Sequence, residues 1–192
     1  MVFKIILIHI GRLPAAIPVN YAYPLSAALY RIIAKGDAQY ASFLHESGYG
    51  KGFKFFTFSQ INCPFTIEGD RMHLLHSELY FHVAFHLPLA AESFVKGLFR
   101  SEHIDIADKQ SRAGFTIRSV ESSPNPLQQY TEMEIVSVKL KPISPVVAGL
   151  RNEKGMYNFL SPDDPRFVES LVSCQTFNFG YRCFSFILAS LV

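Results

Sequence analysis

Val2 to Ile10 is a β-branched and aromatic run broken only by Lys4 and His9, and it reads as a strand. A loop carrying Pro14 and Pro18 follows. Pro24 then falls in a first helical turn, where a missing N–H is tolerated. Behind it Leu25, Ala28, Leu29, Ile32 and Ile33 recur at helical spacing. Gly36 is expected to close this helix in the left-handed conformation. Asp37 is expected to cap a second, shorter helix with Tyr40, Phe43 and Leu44 on its buried stripe, broken by Ser47, Gly48 and Gly50.

Residues 53–60, 71–77 and 78–87 read as further strands, the last two joined near Ser77. Pro88 opens a helix to about Arg100 with Leu89, Phe94, Val95, Leu98 and Phe99 inward, and strands at 104–107 and 115–121 follow. Strand, helix, strand, strand, helix, strand is the ferredoxin-like split βαβ plan, an α+β fold. The same βαββαβ plan underlies the four-stranded RNA-recognition (RRM-like) sheet. It is expected over residues 1–122. Pro124 and Pro126 mark a linker at 122–129. A strand at 132–140, a loop at 142–145 and a helix capped by Asp163 or Asp164, with Pro165 in its first turn and running to about Ser173, would open a second ferredoxin-like unit. That unit, placed at 130–192, is expected to be incomplete.

Apolar residues at 49% and charged residues at 18% describe a globular chain, and 192 residues suffice for one generous domain or two small ones. The net charge of +2 is too small to announce a nucleic-acid binder. Its distribution adds something. Up to Gln60 there are six Lys/Arg (Lys4, Arg12, Arg31, Lys35, Lys51, Lys54) against two acids, Asp37 and Glu46, so an anionic partner should approach the N-terminal third. Cys63, Cys174 and Cys183 show no paired spacing, which fits a reducing cytosol and argues against a zinc ribbon or disulfide framework. The apolar stretches at either end are too short for a secretion signal or a membrane helix. A cytoplasmic protein with no membrane partner is expected.

Three segments are polar where a plain amphipathic element would be apolar: 19–30, 43–50 and 53–59. They bring Tyr30 beside a helical stripe, His45 to a helix end and Lys54 to one face of a strand. Cutting RNA needs no metal if the neighbouring 2′-hydroxyl attacks the phosphate. It does need a group exchanging protons near neutral pH, which histidine does unassisted. It needs a cation beside the phosphorane, and a phenol can orient the sugar or assist the leaving oxygen. By spacing alone the three are equally what a surface histidine, a core-flanking tyrosine and a solvated lysine look like. His73, His76, His82 and His86 invite a metal reading, but in a strand four residues separate His82 from His86 by about 13 Å. No metal or other cofactor is expected. Phe55, Phe56 and Phe58 read as core residues, with stacking on bases as the alternative.

The ordered run Tyr21-Ala22-Tyr23-Pro24-Leu25-Ser26-Ala27-Ala28-Leu29-Tyr30, Phe43-Leu44-His45-Glu46, Phe53-Lys54-Phe55-Phe56-Thr57-Phe58-Ser59, Gly69-Asp70-Arg71-Met72, Ala91 to Phe99 and Ser144-Pro145 resembles the CRISPR-associated endoribonucleases that mature precursor guide RNA. The resemblance covers roughly residues 1 to 172. It implies a catalytic set of Tyr30, His45 and Lys54, with Lys51 a substitute for the lysine. It also implies metal-independent cleavage of CRISPR repeat RNA, leaving a 2′,3′-cyclic phosphate and a 5′-hydroxyl, in the service of antiviral defence. Arg31, Lys51, Lys109, Arg112 and Arg118 are the cations expected along the RNA backbone. The resemblance leaves a homodimer and a place in a CRISPR interference complex open as further partners. Residues 173–192 are Phe-rich with Arg182 as their one charge, unlike the family, as a frameshift or premature stop would produce. A non-catalytic repeat-binding module, or an inactive truncated product, is therefore the alternative.

Overall fold

A computed structural model describes residues 1–47, 56–123 and 148–170. The expected linker, the strand at 132–140 and the apolar tail lie outside the described residues, apart from the linker's first positions. The chain divides into two compact units, Met1–Glu134 and Ile135–Val192. No helix among the described residues is long and apolar enough to cross a membrane.

The first unit is built on a five-stranded antiparallel sheet. Its strands are β1 (Val2–His9), β3 (Phe56–Phe58), β6 (Glu78–Phe85), β7 (Ile104–Ala107) and β8 (Arg112–Ser123), in the order β3-β6-β1-β8-β7. The first four in that order are the ferredoxin-like arrangement, with β7 added as an outer edge beyond β8. Period-two alternation does its work here: Phe3, Ile5 and Leu7 of β1 and Leu79, Phe81 and Val83 of β6 are buried. They pack under helices α1 (Ala22–Gly36) and α3 (Pro88–Phe99), while α2 (Ala38–Glu46) packs on α1.

Two strands were not expected, one where a loop was read and one where no element was. β2 (Ala15–Pro18) and β4 (Phe65–Glu68) flank β5 (Arg71–Leu74) in a separate three-stranded sheet. The strand expected at 71–77 therefore leaves the main sheet. Gly69, at φ 60°, makes the β4–β5 turn. Beside it Arg71 bridges Asp70 at 2.9 Å and Asp108 at 2.7 Å, and donates to Ser111 Oγ at 2.8 Å. The Arg71 guanidinium holds the Asp70 carboxyl below the usual range, and for Asp108 the Ser111 amide does so first, with Arg71 adding to it. The Gly69-Asp70-Arg71-Met72 motif thus ties the small sheet to the β7–β8 turn.

Gly36 is not the left-handed cap expected of it. It remains helical, and Asp37 follows with φ −152° and ψ 102°. The glycine is required by a close approach instead: a Cβ on Gly36 would lie 1.8 Å from the Ser93 carbonyl oxygen, and one on Gly97 would lie 1.8 Å from that of Ile32. α1 and α3 therefore touch backbone to backbone. Ala90, Ala91, Ser93 and Gly97 form much of the buried face of α3, whereas Leu89 and Phe99, expected inward, are 48% and 90% exposed. Arg100 Nη1 donates to the Lys35 carbonyl at 2.8 Å and satisfies an orphan acceptor at the end of α1.

In the second unit β9 (Gly149–Arg151) and β10 (Tyr157–Phe159) form an antiparallel hairpin that was not expected from the sequence. The Asn152 side chain accepts from the Lys154 and Met156 amides at 3.0 Å each, and Gly155 sits at φ 76°. Residues 166–170 are helical, and the Arg166 amide donates to Asp164 Oδ1 at 2.9 Å, so Asp164 takes the capping role expected of it or Asp163.

Candidate functional site

The sharp break at Asp37 brings α2 back against α1. Its carboxylate accepts from the Tyr40 amide at 2.9 Å, the cap expected from the sequence. Leu44 is then fully buried and His45, one residue on, is exposed at the last turn. Phe43 is 39% exposed and is not part of the buried stripe, which runs through Tyr40, Ala41 and Leu44.

This path sets His45 against Tyr30, with ring centroids 6.1 Å apart and planes at 81°. Tyr30 is anchored from behind. Its ring meets Phe56 edge-on at 5.2 Å, Phe56 meets Phe85 at 5.8 Å, and Phe85 meets Phe94 at 4.9 Å. An aromatic chain thus runs from the candidate tyrosine into the core, and such pairs contribute about 0.5–1.5 kcal/mol each beyond their area. Phe56 and Phe58 pack against the core as expected, and Phe55 lies outside the described residues. Burial pushes the Tyr30 phenol above its ordinary pKa, so near neutral pH it is a proton-bearing donor. Lys54 and Lys51 lie outside the described residues; in sequence Lys54 stands two positions before Phe56.

Other residues of the same segments have structural duties. The Ile61 amide donates to the Tyr21 hydroxyl at 3.1 Å, which ties the start of α1 to the chain beyond β3. Ser59 is buried: its Oγ accepts from the His82 amide at 2.9 Å and donates to the Gln60 carbonyl at 2.9 Å, extending the β3–β6 pairing past Phe58. Tyr23, by contrast, is 80% exposed.

The expected backbone-contacting cations do not form one stripe. Arg118 pairs with Glu78 on the sheet face opposite the helices. Lys109 is exposed in the β7–β8 turn. Arg112 pairs with Asp105 at 2.6 Å, and Arg31 donates to the Asp105 carbonyl at 3.4 Å, so these two meet at β7. Lys35 and His103 join Arg31 and Asp105 around a small pocket, which Arg112 reaches through its bond to Asp105, a grouping missed in the sequence. The signal was there in part, since Arg31 and Lys35 stand four apart on one helix. Of the four histidines, His82 is half-buried on β6, and burial, then the charge of Lys4, lowers its pKa. Among the described residues no three His, Cys, Asp or Glu side chains gather closely enough to hold a metal ion.

Comparison with known proteins bears on this geometry. The family described as CRISPR-associated protein Cas6, N-terminal, matches residues 16–121. A protein named CRISPR-associated endoribonuclease Cas6 1 from Methanocaldococcus jannaschii is 28% identical over 156 residues, which are 81% of this chain and 57% of that protein. The chain thus spans little more than half the length of this curated relative. Among solved structures, a Cas6-related protein from Pyrococcus furiosus superposes with a TM-score of 0.69 at 20% identity, covering 93% of this chain and 69% of that one. A RAMP protein described as binding different RNA substrates gives 0.67 at 16% identity, covering 94% and 70%. These structural likenesses speak for the fold, and it is the same α+β, ferredoxin-like fold described above. The matched span of 16–121 covers more than half of the 192 residues and holds α1, α2 and β3 with the Tyr30–His45 contact, and on it the chain belongs to the CRISPR-associated Cas6 family.

Proposed function

We propose that this chain processes CRISPR repeat RNA as a metal-independent endoribonuclease, with Tyr30, His45 and Lys54 at the reacting phosphate. The observation that carries the reading is the Tyr30–His45 contact, made where the last turn of α2 lies against α1 in a Cas6 family member. The named function of the Methanocaldococcus jannaschii relative supports it.

In this reaction the ribose 2′-oxygen attacks the adjacent phosphorus, loses its proton, and the P–O5′ bond breaks as the 5′-oxygen gains one. The products are a 2′,3′-cyclic phosphate and a 5′-hydroxyl. His45, exposed at the end of α2, is the group that exchanges the proton. Tyr30, protonated near neutral pH as any phenol is and more firmly so for its burial, donates a hydrogen bond that orients the sugar or the leaving oxygen. Lys54 supplies positive charge where the phosphorane gathers negative charge. Its place two residues before Phe56, the ring that backs Tyr30, supports assigning it to this corner of the fold. Lys109 and Arg118 serve as outlying contacts to the RNA backbone.

The experiment is a single 2′-deoxy substitution at the cleaved position of a repeat RNA. Cleavage there should disappear while binding persists, because the nucleophile alone has been removed. Cutting that continues at the deoxy position would rule out 2′-hydroxyl attack.

A further inference from the structure

On the flank of α1 away from Tyr30, a pocket of about 130 Å³ opens between the helix and β7. Its floor is apolar, from Ile32 and Ile104, and its rim carries Arg31, Lys35, Ser101 and His103. Asp105 is the carboxylate of the pocket, and it is occupied: Arg112 bonds it at 2.6 Å and His103 Nε2 lies 3.9 Å away. Arg31 hydrogen-bonds the Asp105 main-chain carbonyl, at 3.4 Å, and its charge acts on the Asp105 carboxylate from beyond ion-pair distance. Among the described residues neither Arg31 nor Lys35 has a carboxylate within ion-pair distance. Arg100, bonded to the Lys35 carbonyl, adds a further cation at this end of α1.

The Ser101 hydroxyl is spent on the Gly97 carbonyl, at 2.8 Å, so it is the cations that recruit a ligand, and a concave site with an apolar floor and surplus positive charge is suited to a phosphate diester. Guanidinium and ammonium groups bind its two free oxygens, and the sugar edge lies on carbon. We propose that this pocket is a second RNA contact, holding one backbone phosphate of the bound strand away from the cut. The inference rests on the RNA-processing reading above. Position favours a strand over a free anion. Tyr30 and Arg31 are consecutive on α1, but Tyr30 faces β3 and Arg31 faces β7, the two outer strands of the sheet. Four inter-strand spacings separate those strands, on the order of 19 Å. A strand gripped at both flanks of α1 has its register fixed relative to the candidate catalytic pair, which a single contact cannot do.

The test measures binding of a single-stranded repeat RNA to the full chain over a range of salt concentrations, for wild type and for Arg31→Gln/Lys35→Gln. Loss of one phosphate contact should make the salt dependence shallower by about 0.7 and weaken binding roughly five-fold at 0.1 M salt. A set of RNAs, each with one phosphate neutralised as a methylphosphonate, completes a double-substitution cycle. At one internal position the neutral linkage should weaken wild-type binding by a similar factor and have no further effect on the double variant. Should the double variant fail to melt cooperatively, Lys35→Gln alone replaces it. Tight wild-type binding with no position silenced by the substitution would overturn the pocket assignment and leave the RNA reading standing. Wild-type chain that binds no RNA would overturn both. Inorganic phosphate that shifts the Arg31, Lys35 and His103 resonances, without any coupled linkage in the RNA, would make this a free-anion site and overturn the strand assignment.

Discussion

His45→Ala is expected to lower the single-turnover cleavage rate about 10²–10⁴-fold, the usual contribution of a positioned proton-exchanging group. That corresponds to roughly 3–5 kcal/mol of transition-state stabilisation. RNA affinity should change little, because the imidazole is exposed at a helix end and the salt-dependent phosphate contacts lie with lysines and arginines. Lys54→Ala should differ in kind, reducing both rate and affinity, since its charge acts on bound and reacting phosphate alike. Equal and small effects from the two substitutions, measured with saturating enzyme and by direct binding, would remove both residues from the site.

The largest structural effect is expected at Gly97. A valine there puts Cβ 1.8 Å from the Ile32 carbonyl oxygen, and that atom belongs to helix backbone and cannot swing aside. α1 and α3 must separate, and overpacking of this kind costs about 1–3 kcal/mol and occasionally more. With backbone as the obstacle the upper end is expected, about 3 kcal/mol, a drop in Tm of roughly 6–12 °C for a chain of this size. Because α1 carries Tyr30 and Arg31, RNA binding and cleavage should fall with the fold. Lys96→Ala, one residue away, exposed and among the described residues engaged only in an ion pair with Glu92, is the control and should stay within about 0.5 kcal/mol of wild type. A Gly97→Val chain melting with wild type would mean that the helices are not in backbone contact.

The elements legible in the sequence were those with strong periodicity. The stripe of Leu25, Ala28, Leu29, Ile32 and Ile33, the Asp37 cap and the alternation of β1 and β6 each carry a local physical signal, and each stands in the structure as read. β4 has none: all of its residues are exposed, and only pairing with β5 makes it a strand. β2 was hidden by Pro14 just before it and Pro18 at its end. On α3 the sequence shows Phe94 and Leu98, buried, and Val95, packed against the core, but not the small residues: a backbone-close crossing also selects Ala90, Ala91, Ser93 and Gly97 and leaves Leu89 and Phe99 exposed. The same crossing explains Gly36, whose role is packing and not chain reversal.

Of the candidate site, Tyr30 and His45 could be singled out because both are polar interruptions next to buried positions, Leu29 and Leu44. What joined them was invisible locally, since it depends on the fold of α2 back along α1 and on the Phe56 ring behind the tyrosine. The grouping of Arg31, Lys35, His103 and Arg112 was still less legible. Its centre, Asp105, is an ordinary strand residue until β7 is placed beside α1 at the sheet edge.

The central claim is tested most directly by incubating the purified chain with end-labelled repeat RNA in excess EDTA and analysing the ends of the products. A discrete cut leaving a 2′,3′-cyclic phosphate on one fragment and a 5′-hydroxyl on the other, undiminished by the chelator, is expected of 2′-hydroxyl attack without a metal. Cleavage that requires added magnesium and leaves a 3′-hydroxyl would contradict it.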